Sequence, residues 1–295
     1  MESAMNIWNG VVCWSSSSIS LQPSLGLCFP GAVTTCGGNG LILKGNLWSR
    51  KSSKFQFNYL TMKRYITILV WLLSSFCVKA QEFKPMEHNG LLYQEMANRT
   101  SETEPPALII YLHGKHASGN DNQKQLNQTG VRNISAYIEK NRIPAYFLVP
   151  QCPEDHEWDG RDDSSSYADE VEELIAFYLS TKDVDTCKIY ICGVSMGACG
   201  CWKLLNDKPN QFAAALIASG QAHRAYPSDF TATPLYVTVG SNERSYDALT
   251  WFTSQIQKEG GNVRFDVLNG LEHREACDEA FSTKRITWLF SKKRD

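Results

Sequence analysis

The sequence predicts an α/β fold, a mostly parallel central sheet with helices on both faces. Three observations predict it. Between residues 108 and 290, short β-branched or aromatic runs alternate with longer stretches of helical spacing, the pattern of parallel strands joined by crossover helices. The prominent polar clusters, 113–121, 151–163, Ser195, 241–247 and His273, each follow directly on an expected strand. In such sheets ligands gather beyond the carboxyl ends of the strands, so these clusters meet on one edge. No internal repeat is present, which favours one domain over an array.

Residues 1–61 stand apart from this pattern. They hold SSSS at 15–18, CGGNG at 36–40, a single acidic residue, Glu2, and no sustained period of 2 or 3.6. They read as a non-native or disordered upstream extension. Residues 62–80 then give Met62, basic Lys63 and Arg64, an apolar run at 66–73, and Val78-Lys79-Ala80 as a small-x-small cleavage site. That three-part pattern is a secretory signal peptide, cut after Ala80, and its apolar core is too short for a stable membrane anchor. A secreted or periplasmic location follows, with residues 81–295 as a single domain.

Within that domain the strands are expected at 108–112, 145–149, 188–192, 213–218, 235–239 and 263–268. Helices are expected at 167–179, where Val171, Leu174, Ile175 and Tyr178 form an inward stripe, at 195–205, at 246–258, and at 277–290. The loops long enough to be functional follow residues 112 and 149. The connection at 220–233 leaves little material for a lid, so an open cleft is expected.

Charge and cysteines narrow the chemistry. Of 29 basic and 31 acidic residues, seven basic and one acidic precede residue 81, which leaves the remainder at −8. A chain so acidic is not a nucleic-acid binder. Six cysteines, Cys152, Cys187, Cys192, Cys199, Cys201 and Cys277, follow the cleavage point, and an oxidising compartment permits disulfides among them without fixing the pairing. No C-x-x-C or H-E-x-x-H spacing occurs, so neither metal nor cofactor is expected.

The stretch KIYICGVSMGACGCW, Lys188 to Trp202, places Ser195 between Gly193 and Gly197, at the turn from a strand into a helix. In isolation G-x-S-x-G can be a helix cap. With a strand before it and a helix after it, it reads as a nucleophile elbow. The glycines leave room for a strained turn, the hydroxyl projects above the sheet, and the Met196 N–H lies at a helix N-terminus that favours negative charge. A second oxyanion donor is expected from Lys115 N–H, because Gly114 after His113 lets the backbone fold back. His113 itself fits a loop-orienting residue better than a base, and His116 has no assigned role. With nucleophile, acid and histidine in chain order, only His223 and His273 can supply the base, and His273, between the final strand and the final helix, is the better placed. Glu243 falls a few residues past the strand at 235–239, where an acid is expected. Asp247 is the alternative, although it has a structural reason to begin the following helix. His113, Gly114, Gln151, Trp158 and the loop to Asp163 are expected to line the substrate cleft, with Trp158 equally suited to the core.

Together these residues resemble the α/β-hydrolase superfamily. Within it they are most similar to secreted esterases of the phospholipase/carboxylesterase, poly(hydroxyalkanoate) depolymerase and feruloyl esterase-like branch, with "predicted peptidase" relatives. The resemblance covers most of 106–288 and rests on YLHGKHASGNDN, FLVPQCPEDHEW, KIYICGVSMGACGCW, PNQFAAALIASG, TPLYVTVGSNE and GLEH. It implies Ser195 as nucleophile, His273 as base, and the N–H groups of Lys115 and Met196 as oxyanion hole. The chain departs from the family pattern at Val239-Gly240-Ser241-Asn242-Glu243, where His-Gly-x-x-Asp is usual, at Ala198 in place of a glycine, and at Glu272 where Gly precedes the histidine. The expected function is a secreted serine hydrolase acting on carboxylic esters, on a small-molecule or glycan-linked substrate. The alternatives are a serine peptidase on the same scaffold, and a binding protein that kept the fold and lost the chemistry.

Overall fold

The structure, a computed structural model, describes residues 82–101, 103–161 and 166–294. The upstream extension expected at 1–61 and the signal peptide at 62–80 lie outside the described residues. Eight strands form one sheet in the order β1-β2-β4-β3-β5-β6-β7-β8. These are β1 Lys84–His88, β2 Leu91–Asn98, β3 Ala107–Leu112, β4 Ala145–Pro150, β5 Ile189–Val194, β6 Ala214–Ala218, β7 Leu235–Gly240 and β8 Val263–Leu268. β1 pairs antiparallel with β2, and β2 antiparallel with β4, whereas β3 to β8 pair in parallel throughout.

Helices α1 Thr129–Asn141, α2 Ala168–Thr181, α3 Met196–Asp207, α4 Tyr246–Lys258, α5 His273–Glu279 and α6 Thr283–Phe290 cover the sheet. The central strands β3, β4, β5, β6 and β7 are buried at every residue, because their apolar side chains alternate between two cores. On one face Leu108, Ile110, Ile191, Ile217 and Val237 meet the stripes of α2, α3 and α4. On the other, Ile109, Tyr111, Phe147, Cys192 and Leu216 meet α1 and α6. The buried residues of α2 are Ala168, Val171, Leu174, Ile175 and Tyr178, the last four being the stripe expected from its spacing.

The structure also departs from the expected elements. The antiparallel pair β1 and β2 and helix α1 are additional to those expected. β2 carries Gln94 and Asn98 in buried positions, which breaks its apolar pattern; the Gln94 amide donates to the Asn122 carbonyl and the Asn98 amide to the Ile138 carbonyl. The helix expected at 277–290 is two, α5 and α6, separated at 280–282 where Ala280 and Phe281 turn into the core. All six cysteines among the described residues are free thiols, so none of the permitted disulfides forms.

Candidate active site

Ser195 stands between β5 and α3 with φ 53° and ψ −119°, a left-handed conformation that a side-chain-bearing residue rarely adopts. Its N–H donates to the Ala218 carbonyl at 2.9 Å, which ties the turn to the end of β6. The flanking glycines make the turn possible. A Cβ on Gly197 would collide with the Leu112 carbonyl, and one on Gly193 would lie 2.5 Å from the Gly197 oxygen. Helix α3 therefore starts at Met196, with Ser195 as its strained cap.

Ser195 Oγ donates to His273 Nε2 at 2.8 Å, and His273 Nδ1 donates to Glu243 Oε2 at 2.6 Å. His273 is the first residue of α5 and half exposed, whereas the Glu243 side chain is buried at 1% exposure. The other carboxylate oxygen accepts from Gly240 N–H at 2.6 Å and from Ser219 Oγ at 2.7 Å. Burial pushes the Glu243 carboxyl up, but the hydrogen bonds from His273, Gly240 and Ser219 outweigh it and hold it below its ordinary value. The hydrogen bond to Glu243 raises His273 above an ordinary imidazole, against the opposing effect of burial.

Asp247 is not part of this arrangement. It is exposed in the first turn of α4, where an acidic side chain suits the helix N-terminus. His223 likewise does not reach Ser195; its Nδ1 pairs with Asp159 Oδ2 at 2.8 Å. Glu272, the carboxylate beside His273, is exposed, and its N–H donates to Glu275 Oε2 at 2.9 Å at the start of α5.

Gly114 lies against the serine: a Cβ there would be 3.4 Å from Ser195 Cβ. The next residue, Lys115, opens a 3-10 turn over Lys115–Ala117, and Met196 opens α3. The first N–H groups of a helix have no acceptor within it, so neither the Lys115 nor the Met196 N–H is used by its own helix. The Lys115 ammonium is directed elsewhere, to the carbonyls of Glu154 at 2.9 Å and His156 at 3.2 Å.

Three residues expected to line the cleft are buried instead. His113 is fully buried; its Nδ1–H donates to the Gly114 carbonyl at 2.8 Å and its Nε2 accepts from Cys152 N–H at 2.9 Å. Burial pushes its pKa down to about 4, so the ring stays neutral and braces two loops. Trp158 packs edge-on against His113 at 5.1 Å and donates from Nε1 to the His113 carbonyl at 2.9 Å, which places it in the core. Gln151 is 1% exposed; it accepts from Asn122 N–H at 2.6 Å and donates to Asp121 at 2.9 Å. Its amide, with the N–H groups of Lys124 and Gln123, holds the Asp121 carboxyl down to about 2. A polar side chain in a functional loop serves the loop as readily as a ligand, and only burial separates the two. The loop to Asp163 is cut by residues 162–165, which lie outside the described residues.

The serine opens into a cavity of about 690 Å³ lined by Arg161, Cys199, Gln221, His223, Arg244 and His273, among others. The chain between β6 and β7 adds only a 3-10 turn, Pro227–Phe230, whose Phe230 ring packs on Trp202 at 4.9 Å rather than over the serine. Ser219 is the site residue that sequence reasoning missed. Its partner lies 24 positions away, and the local stretch ALIASG carries no signal of the pairing.

A strained serine after the fifth strand of a mainly parallel eight-stranded sheet, with a histidine from beyond the last strand and an acid from the loop after β7, defines the α/β-hydrolase fold. The fold is similar to the crystal structure of a thermostable esterase, with a TM-score of 0.65 and 21% identity over 74% of this chain and 64% of that one. It is also similar to S-formylglutathione hydrolase from Staphylococcus aureus, with a TM-score of 0.55 and 15% identity over 71% and 96% of the two chains. For a ferulic acid esterase the TM-score is 0.56, with 12% identity over 71% and 97%. This chain thus spans less than two thirds of the thermostable esterase. No family model and no curated protein sequence matches it.

Proposed function

We propose that the chain is a serine hydrolase of carboxylic esters, exported through the signal peptide at 62–80 to the periplasm or the exterior. The observation that carries the reading is the unbroken hydrogen-bonded line from Ser195 through His273 to the buried Glu243, at 2.8 and 2.6 Å. Its neutral His273 takes the Ser195 proton at Nε2 as Oγ attacks the ester carbonyl. The N–H groups of Lys115 and Met196 meet the oxyanion, and Glu243 stabilises the imidazolium. The imidazolium returns its proton to the departing alcohol, and water, activated in the same way, releases the acid and regenerates Ser195. The open cavity and the short β6–β7 connection favour small substrates or esters exposed on a glycan. The esterase and hydrolase names of the structural neighbours favour an ester over an amide.

A fluorophosphonate probe is expected to add to Ser195, located by peptide mass, and a short-chain aryl ester to be turned over. Ser195→Ala and His273→Ala should each cost about a thousandfold or more, and the double variant little beyond either, because the two act as a unit. Persistent turnover in Ser195→Ala with unchanged folding would overturn the reading.

A further inference from the structure

We infer that Asp159, Cys199 and His223 form a binding site for a divalent transition cation of the zinc class, between the cavity that holds Ser195, lined by Cys199 and His223, and the adjoining one, lined by Asp159 and His223. One ligand atom from each of the three lies within 4.8 Å of the other two. Carboxylate oxygen, thiolate sulfur and imidazole nitrogen are the donors that zinc takes, and three protein donors leave a tetrahedral ion one position for water. Ligand atoms around such an ion stand about 3.3–3.8 Å apart, as bond lengths of about 2.0–2.3 Å require. The cluster therefore closes on an ion by side-chain rotation, with no movement of the sheet.

A second observation points to the same place. The Asp159 side chain is 4% exposed, and its Oδ1 is buried with no hydrogen-bond partner, while Oδ2 carries both His223 and Arg161, at 2.8 and 3.4 Å. A buried carboxylate oxygen left without a donor is costly unless something positive completes it. A cation on Oδ1, with Arg161 kept on Oδ2, gives an ordinary two-shell arrangement. Arg161 is the nearby charge that opposes a second cation, but it is held between Asp159 and Glu157, the latter at 3.5 Å, so two negative charges face its one positive charge.

Position gives the site its interest. Cys199 lies one helical turn beyond the nucleophile, its N–H donating to the Ser195 carbonyl at 3.2 Å, and Cys199 and His223 line the same cavity as Ser195 and His273. The donors are 40 and 24 positions apart, so no sequence spacing marks them, and the absence of short metal motifs does not bear on such a site. As the ion binds, the Cys199 thiol proton passes to solvent and the sulfur–metal bond forms.

The test is cobalt(II) titration of the full exported domain, read by thiolate-to-cobalt charge-transfer absorption and by competition with zinc. Wild type is expected to bind one equivalent with the charge-transfer band. Cys199→Ala should lose the band, and Asp159→Asn and His223→Ala should each weaken binding at least tenfold. Because His223 is partly exposed, its variant is safe for folding if Cys199→Ala is not. Ser195→Ala should bind cobalt as wild type does, so the outcome is independent of the hydrolase reading. No saturable binding at micromolar cobalt, a band that survives in Cys199→Ala, or affinity unchanged in both Asp159→Asn and His223→Ala would each overturn the site.

Discussion

At Glu243 four hydrogen bonds converge on one carboxylate, from Gly240 N–H, Ser219 Oγ, His273 Nδ1 and, more weakly, Ser245 Oγ at 3.3 Å. An anion so satisfied stays ionised despite burial, which is what an imidazole needs beside it as it gains charge. Glu243→Gln keeps the shape and removes the charge, so kcat for an aryl ester should fall about 10³–10⁴-fold with KM little changed. Asp247→Asn should cost only helix-start electrostatics of about 0.3–1 kcal/mol, read as a small shift in the urea midpoint. A severe Asp247→Asn defect beside a mild Glu243→Gln defect would move the acid role. As the proposed base His273 must be neutral, and its pKa is raised, so turnover should fall as pH drops through a midpoint above the ordinary imidazole value of about 6.5. Ser219→Ala takes one donor from the carboxylate, which makes Glu243 more basic and its hold on the imidazolium stronger. The acid limb of kcat/KM should then move to still higher pH, a change that a merely structural serine would not produce. The accompanying stability loss is about 1–3 kcal/mol, from one missing partner on a buried charge.

Among the elements, the turn into α3 and the loops after β3 and β4 decide the geometry. Gly197 is required by the approach of α3 to the end of β3, so Gly197→Ala should lower stability by about 1–3 kcal/mol and displace Ser195. Trp158 and His113 lock those loops together. Trp158→Ala is expected to cost about 3–5 kcal/mol in urea unfolding through the cavity it leaves, and a KM effect without that loss would return Trp158 to the cleft. The break between α5 and α6 has the same character. Helical periodicity runs through 277–290, but Ala280 and Phe281 gain more from burial against the sheet than from continuing a surface helix. Strands β3 to β7 were legible because continuous burial demands a continuous apolar run, and the half-buried β8 because its apolar residues alternate with Arg264 and Asp266. β1 and β2 were not, since an antiparallel edge tolerates the polar residues that tertiary partners satisfy.

For the whole molecule, the proposed export makes one processing prediction. Expression from Met62 in a secreting host should yield a mature N-terminus at Gln81, read by mass spectrometry, and retention of residues 1–61 in an active exported form would overturn it. Among the described residues no helix is long and apolar enough to cross a membrane. The sequence by itself determined the parallel sheet, the position of Ser195 in a strand-to-helix turn, and the histidine beyond the last strand. Each of these is written locally, in runs of apolar residues, in glycines that only a tight turn requires, and in the order of segments along the chain. Only the tertiary structure decided which carboxylate meets His273, that Ser219 supports it, that His113, Gln151 and Trp158 face inward, and that Asp159, Cys199 and His223 converge. Those facts depend on side chains dozens of positions apart arriving at one edge of the sheet, and on which of them water can still reach, quantities that no local pattern carries.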